Sequence, residues 1–343
     1  HPACAPYQPC LLCYASRGAA AACPLHGQSC RRLGAASEGP LLQQPSKRQF
    51  DYNSVVVSLY GFLEQYIESL LREYIARLNA IAPRYGDLPE QVRKHHTDLT
   101  VALLSRVEQS RYRGVVTPAT LVANLHTCLS ELPSFLLNTE AFALHTANFR
   151  SDVIEDSFAR VGVLSVNQRI RHFSPFSEYI VHHFPGRDSS GLSNSELFFF
   201  LDDLAERRNE VAHGSAGELL SNELLLDYLV FVEVYGLSLY ELAVCDSLGH
   251  EVRHHGNAVG RPVAVYNNEI VCVELRDASV KVGDLLVAET GYGIRPYIGG
   301  EILEMQVDGT PISHIRPGVG VPIAMRVAFR AKQNHSFFVL HRP

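Results

Sequence analysis

The hydrophobic period of the chain changes once, near Gly249, and that change limits what it can fold into. From Tyr52 onward the apolar residues recur at helical steps. Leu59, Phe62, Leu63, Tyr66, Ile67, Leu70, Leu71, Tyr74, Ile75 and Leu78 fall at intervals of one, three and four, the stripe of a long amphipathic helix. Asn53 and Ser54 stand where caps are expected, and Pro83 closes the helix. Further helices are expected near 90–108, 118–131, 140–161, 165–183, 194–213 and 221–245. In the last, Leu224, Leu225, Leu226, Leu229, Val230, Phe231, Val232, Val234 and Leu237 leave almost no polar face. Such a helix belongs in a domain centre or a subunit interface. Residues 259–343 alternate instead in short runs at 262–266, 270–275, 284–288, 301–307, 322–329 and 336–340. Turn signals separate them at Asn267-Asn268, Gly283-Asp284, Gly299-Gly300, Asp308-Gly309 and Pro317-Gly318.

The expected architecture is therefore α+β with segregated domains, an all-α up-and-down helical bundle followed by a small β-barrel. Residues 1–49 lack periodicity and are rich in breakers, so they read as a disordered or low-complexity tail. The helical domain spans 50–248, a linker with exposed imidazoles (His250, His254, His255) spans 249–258, and the barrel spans 259–343.

With 46% apolar and 19% charged residues in 343, the chain is not wholly disordered. The net charge of −6 argues against a basic nucleic-acid coat. That total hides a tail of +4 on a body of −10. No uncharged apolar run reaches the roughly 18 residues of a bilayer span; Glu223, Asp227, Glu233 and Glu241 interrupt the greasiest stretch. No charged segment followed by an apolar one opens the sequence. The expectation is a soluble, cytoplasmic protein with no membrane partner. Cys10, Cys13, Cys23, His26 and Cys30 are ligand types that zinc accepts, at a spacing that fits no known finger. Cys128, Cys245 and Cys272 read as reduced core thiols. No Gly-x-Ser-x-Gly, His-Glu-x2-His, dinucleotide-binding or phosphate-loop motif occurs, and no cofactor or metal is expected.

The most informative segment is Leu204-Ala205-Glu206-Arg207-Arg208-Asn209-Glu210-Val211-Ala212-His213-Gly214. Arg208 and His213 could together cut RNA without a metal. Imidazole can take a 2′-hydroxyl proton or protonate a leaving 5′-oxygen, and guanidinium can hold the charge growing on phosphate. The bare Arg-x4-His pattern is weak, since composition alone supplies about one match and Arg330 to His335 is a second. Five residues at about 100° each set the two side chains roughly 140° apart around a regular helix. Gly214 suits the position just past a helix end. A purely structural role is the competing reading, with Arg208 paired to an acid and His213 capping the helix. Arg207, Arg169, Arg171, Arg150 and Arg160 are the basic groups available to bind phosphate, Arg207 foremost as a substrate-binding residue.

The long first helix, with Ser58-Leu59-Tyr60-Gly61-Phe62-Leu63-Glu64 near its start, together with the Arg207–Gly214 motif, resembles the HEPN superfamily. The nearest classes are the MAE-like domains and those associated with RiboL-PSP proteins. The resemblance covers about residues 50–248. It implies a metal-independent endoribonuclease acting as a toxin or defence effector in toxin–antitoxin or abortive-infection systems. It also implies RNA as substrate, an antitoxin protein as a candidate partner, and a homodimer that joins two Arg-x4-His motifs in one composite site. Carried over, Arg208 and His213 are the catalytic pair and Asn209 the polar position beside them. A catalytically silent dimer that binds RNA or protein is the alternative. Residues Val280-Lys281-Val282-Gly283-Asp284-Leu285-Leu286-Val287 and Glu301 to Gly309 resemble the second-domain β-barrel of translation GTPases.

Overall fold

The computed structural model describes residues 45–214, 218–316, 320 and 322–342; the candidate zinc ligands of the first thirty residues and the Pro317-Gly318 turn lie outside them. Ten α-helices are described: α1 (Pro45–Ile81), α2 (Glu90–Leu104), α3 (Pro118–Leu129), α4 (Thr139–Phe142), α5 (Ser151–Arg160), α6 (Val166–Arg169), α7 (Ser174–His183), α8 (Asn194–Leu197), α9 (Phe199–Ala212) and α10 (Asn222–His255). Eight residues of the stripe read from the sequence, from Leu59 through Leu63, Ile67, Leu70 and Tyr74 to Leu78, lie with Tyr52 on the buried face of α1, while Phe62 and Tyr66 are exposed. The helix begins seven residues before Tyr52, so Asn53 and Ser54 lie inside it. Ser54 donates back to the Phe50 carbonyl at 2.8 Å, and Asn53 accepts from Gln49 at 2.8 Å.

Helices α1 and α10 lie side by side and run in the same direction. Tyr66 donates to the Gly236 carbonyl at 2.8 Å, Arg77 pairs with Glu251, and His255 Nε2 reaches the Ile81 carbonyl at 2.8 Å. The last contact occupies a carbonyl that the end of α1 leaves without an intrahelical partner. By length and composition α10 could cross a membrane, but Tyr228, Phe231, Tyr235, Leu239 and Leu242 bury its inner face in the helical core. Its outer face, with Leu226, Leu229, Val230 and Leu237, is exposed.

The segment expected as one helix over 140–161 is α4 and α5 separated by a loop, residues 143–150. His145 fastens this loop to α1, with Nε2 at 2.8 Å from Glu68 Oε1 and 3.3 Å from Glu64 Oε1. Glu68 is buried and also pairs with Arg72 and Arg111. Burial opposes its ionisation, but His145 and the two guanidinium groups outweigh that and hold its pKa at about 2. Burial opposes charge on His145 too, yet Glu68, the Ala147 carbonyl and Glu64 raise its pKa above 6.5.

Residues 249–255 form the last two turns of α10, not a linker; α10 ends at Gly256, whose N–H bonds Val252. Burial among neighbouring cations pushes the His250 pKa down to about 4. The C-terminal strands are β1 (Asn257–Gly260), β2 (Ala264–Tyr266), β3 (Ile270–Glu274), β4 (Val280–Lys281), β5 (Leu285–Glu289), β6 (Tyr297–Val307), β7 (Thr310–Ile312), β8 (His314–Ile315), β9 (Pro322–Val327) and β10 (Ser336–Leu340). They form an antiparallel sheet, not the expected closed barrel. Its path β1-β10-β5-β6-β9-β3-β2 ends at β1 and β2, which do not pair; β7 pairs β6, and β4 with β8 forms a separate ribbon. Strand β6 serves both halves, with residues 297–301 on β5 and 302–306 on β9, offset by a bulge between Ile302 and Glu304. The chain between the two sheet ends contains Pro262, which has no N–H for a closing ladder.

Asp308-Gly309 is a two-residue turn and Asn267-Asn268 opens a three-residue one that ends at Glu269; Asp308, Gly309, Asn267 and Asn268 all have positive φ, as the hairpin rule favours. Gly299-Gly300 is not a turn but lies within β6 opposite Val287 and Leu286. A Cβ at Gly300 would stand 3.0 Å from the Phe329 ring; here glycine permits close packing. The sheet docks on the helices through Leu248, Val252, Leu285, Val287 and Leu340. Arg169 adds a two-pronged pair with Asp246 and a bond to the Ile294 carbonyl at 3.0 Å.

Two outcomes follow for stability. Phe231→Ala should cost about 3–5 kcal/mol in denaturant unfolding, whereas Leu226→Ala on the exposed face should stay within about 0.5 kcal/mol. The His145 contribution is present in full below its ordinary pKa of 6.5 and is lost as pH rises through its higher folded-state value. The Glu68 contribution is present above 4.5 and is lost as pH falls toward about 2. The stability gap between wild type and His145→Gln should therefore be wide near pH 6 and narrow near pH 9, roughly; an equal gap at both contradicts this.

Candidate active site

Helix α9 carries the Arg-x4-His motif. Its start is prepared by α8, where Ser193 accepts from the Glu196 N–H at 3.2 Å while Glu196 accepts from the Ser193 N–H at 2.9 Å, a reciprocal cap. The chain breaks at Phe198 and resumes as α9, which ends at His213; Gly214 follows at φ +70°, the left-handed residue expected past a helix end. The His213 N–H bonds the Asn209 carbonyl at 2.9 Å. Its imidazole is exposed, with no hydrogen bond to it among the described residues.

Arg208 is half-buried. Its guanidinium lies 5.3 Å from the centroid of the buried Tyr60 ring on α1, a cation–π distance. Its Nη1 lies 3.4 Å from Asn209 Oδ1 and 3.5 Å from Asn148 Oδ1. Both contacts are long, so they orient the group without consuming its donors. Burial, with Glu64 nearby, raises the Tyr60 phenol pKa to about 12 against the bond from Phe149 and the Arg208 and Arg150 charges. The phenol therefore stays protonated.

The loop of residues 143–150 covers one face of α9. Ser151 donates to Asp202 through its N–H at 2.7 Å and its hydroxyl at 3.0 Å, Arg150 pairs with Glu206, and Asn148 donates to Asn209. Phe149 N–H bonds Tyr60 at 2.8 Å. Relative to Asp202, about 100° per residue puts Asn209, Glu206 and His213 within roughly 40° of it around α9. His213 thus continues the face on which Asn209 and the loop meet, one turn further on.

Arg207, expected to bind substrate, is tied into the fold. It pairs with Asp203, bonds Tyr52 at 3.0 Å and the Glu218 carbonyl at 3.2 Å, and lies 3.4 Å from Tyr228. The remaining arginines divide clearly. Arg169 belongs to the sheet interface. Arg171 is buried and bonds the Asn167, Ser189 and Leu192 carbonyls and Asn194. Arg160 reaches the Leu144 carbonyl at 3.4 Å. Only Arg150 stands at the motif helix. The second pattern match separates as well, because His335 is buried and accepts the Lys332 N–H at 3.3 Å while Arg330 is exposed.

Glu64, Glu68 and His145 place ligand atoms within 4.8 Å of one another, a donor set that could accept a cation. Both Glu68 oxygens already face guanidinium groups, Oε1 to Arg111 and Oε2 to Arg72. The trio therefore works as an ion-pair anchor. Sequence reasoning assigned no site role to Asn148 or Tyr60. The weak helix formers Thr146 and Asn148 before Ser151-Asp152 were the available signal that a loop and a new helix start stand there.

No curated protein matches the chain. The model of the RiboL-PSP-HEPN family matches residues 36–244, more than half of the sequence and every residue of the site just described, and the chain belongs to that family.

Proposed function

We propose that the protein is a metal-independent endoribonuclease that acts as a toxin or defence effector. The observation that carries this reading is an arginine held by long contacts on an aromatic face, on the helix that ends at a solvent-exposed histidine without a hydrogen-bond partner among the described residues. In the proposed reaction His213 takes the proton of an RNA 2′-hydroxyl. The 2′-oxygen attacks the adjacent phosphorus, the bond from phosphorus to the 5′-oxygen breaks, and that oxygen takes a proton from a general acid. The products are a 2′,3′-cyclic phosphate and a 5′-hydroxyl. Arg208 holds the phosphoryl charge in the transition state. Acid–base transfer of this kind contributes about 10²–10⁴ in rate, and neither role requires a metal.

Asn209 orients Arg208, and Arg150, held at the motif helix by Glu206, is a further cation for the RNA backbone. Three of the four acids of α9 do not face an approaching phosphate unopposed. Asp202 is occupied by the start of α5, Asp203 by Arg207 and Tyr228, and Glu206 by Arg150.

The general acid is the histidine of a second copy in a homodimer. Its seam is not the apolar groove of Phe62, Tyr66, Val232 and Leu237 between α1 and α10. Phe62 and Tyr66 lie about 200° and 240° around α1 from Tyr60, on the side away from Arg208. The dimer we propose meets across the His213 end of α9.

Purified protein should cleave RNA in excess EDTA and leave cyclic-phosphate ends, and Arg208→Ala or His213→Ala should lower the rate at least about 100-fold. Dependence on added metal would sink the assignment. A mixture of the two inactive variants tests the composite site, since a mixed dimer holds one intact Arg–His pair only if the pair spans two chains. Recovery above either variant alone is expected, short of wild type because the mixed site keeps one of its two histidines; no recovery, with subunit exchange verified, overturns the composite site.

A further inference from the structure

The loop of residues 143–150 is fixed from both ends. At one end His145 is held by Glu68 and Glu64, with its Nδ1 at 2.9 Å from the Ala147 carbonyl. At the other, Phe149 N–H is held by Tyr60, Arg150 by Glu206, and Ser151 by Asp202. Asn148 sits between these anchors and extends its amide to α9. Among the described residues it supplies the one polar group from outside α9 that reaches the Arg208 guanidinium. Arginine has donors only, so the amide atoms facing it must be oxygens. That fixes the orientation of both amides. Asn148 Oδ1 and Asn209 Oδ1 face Arg208, and Asn148 Nδ2 is left to donate to Asn209 Oδ1.

We propose that Asn148 is a positioning residue of the Arg208–His213 site, its amide bridging Asn209 and Arg208 to fix the guanidinium over the Tyr60 ring. The assignment rests on the nuclease reading for its catalytic consequence, but not for its structural one. The bridge needs a donor and an acceptor on one short planar group. Asparagine has both, aspartate keeps only the acceptor, and leucine keeps the shape with neither. The contacts to Arg208 involve Nη1 alone, which leaves Nε and Nη2 without protein acceptors among the described residues. A phosphate oxygen pair can take that fork. Because the loop is anchored before RNA arrives, the arginine is ordered in advance. A misplacement of about 1 Å at such a site costs roughly 100-fold.

The test uses the full chain with Asn148→Leu and Asn148→Asp, and two readouts. The first needs no activity: the Nε–H resonance of Arg208, identified by its loss in Arg208→Lys, in ¹⁵N correlation spectra. It should stand apart in wild type, move to the position of solvent-exposed arginines in Asn148→Leu, and return most of the way in Asn148→Asp. The second is cleavage of a reporter RNA. In Asn148→Leu kcat should fall about 10–100-fold with KM within about twofold, while the melting temperature stays within a few degrees. An unmoved resonance in Asn148→Leu overturns the assignment, as does an unchanged kcat. A raised KM with normal kcat would make Asn148 a substrate contact and also overturn it. If the wild type cleaves no RNA while the resonance moves as expected, the nuclease reading fails and the positioning assignment stands.

Discussion

The packing of α1 against α10 is the contact on which the rest of the molecule depends. Each helix presents a continuous apolar face too large to leave in water, and together they bury Leu63, Leu70, Tyr74, Phe231, Tyr235 and Leu239. Their parallel run is pinned along its length by Tyr66 to Gly236, Arg77 to Glu251 and His255 to Ile81. The opposite side of α1 is then free to present Tyr60, Glu64 and Glu68 to the motif helix and to the loop of residues 143–150. The far end of α10 becomes the floor for the sheet. Site and sheet are thus both referenced to the same pair of helices.

The second organising fact is how acidic groups are used. A body of net charge −10 is a poor generic partner for RNA. In the structure several acids near the motif have local tasks. Asp202 caps a helix, Asp203 holds Arg207, Glu206 holds Arg150, and Glu68 anchors the loop through His145. Net charge counts these groups at full value, although each is paired or spent as a hydrogen-bond acceptor. The groups that contact Arg208 are two amide oxygens and an aromatic face.

Period and punctuation made much of this legible. The stripe of α1, the apolar α10, the end of α9 at Gly214 and the two Asn/Asp turns all followed from local rules. The misreadings share a cause, which is that long-range contacts overrode local signals. Asn53 and Ser54 look like caps, but burial of Tyr52 and Val56 carries the helix past them. Gly299-Gly300 looks like a turn, but its small residues admit Phe329 and Ala328 against a central strand. The region around Gly249 looks like a linker, but Leu248 and Val252 are needed to dock the sheet. Closure of the barrel depends on two sheet ends whose pairing no local pattern encodes. At the site, the motif was visible as Arg208, Asn209 and His213, while Asn148 and Tyr60 were not, because each meets the motif only through the tertiary fold. The ties of Arg207 were illegible for the same reason, since its partners Tyr52, Glu218 and Tyr228 lie far from it in sequence or on other elements.

The account stands or falls on whether Arg208 and His213 cut RNA. The most direct measurement is a transcriptome-wide map of RNA ends in cells expressing the wild type or His213→Ala at equal levels. The account predicts new 5′-hydroxyl ends, matched by 2′,3′-cyclic phosphates, in cells with the wild type and none with the variant. The same new ends with both proteins, or no new ends with either, would contradict it.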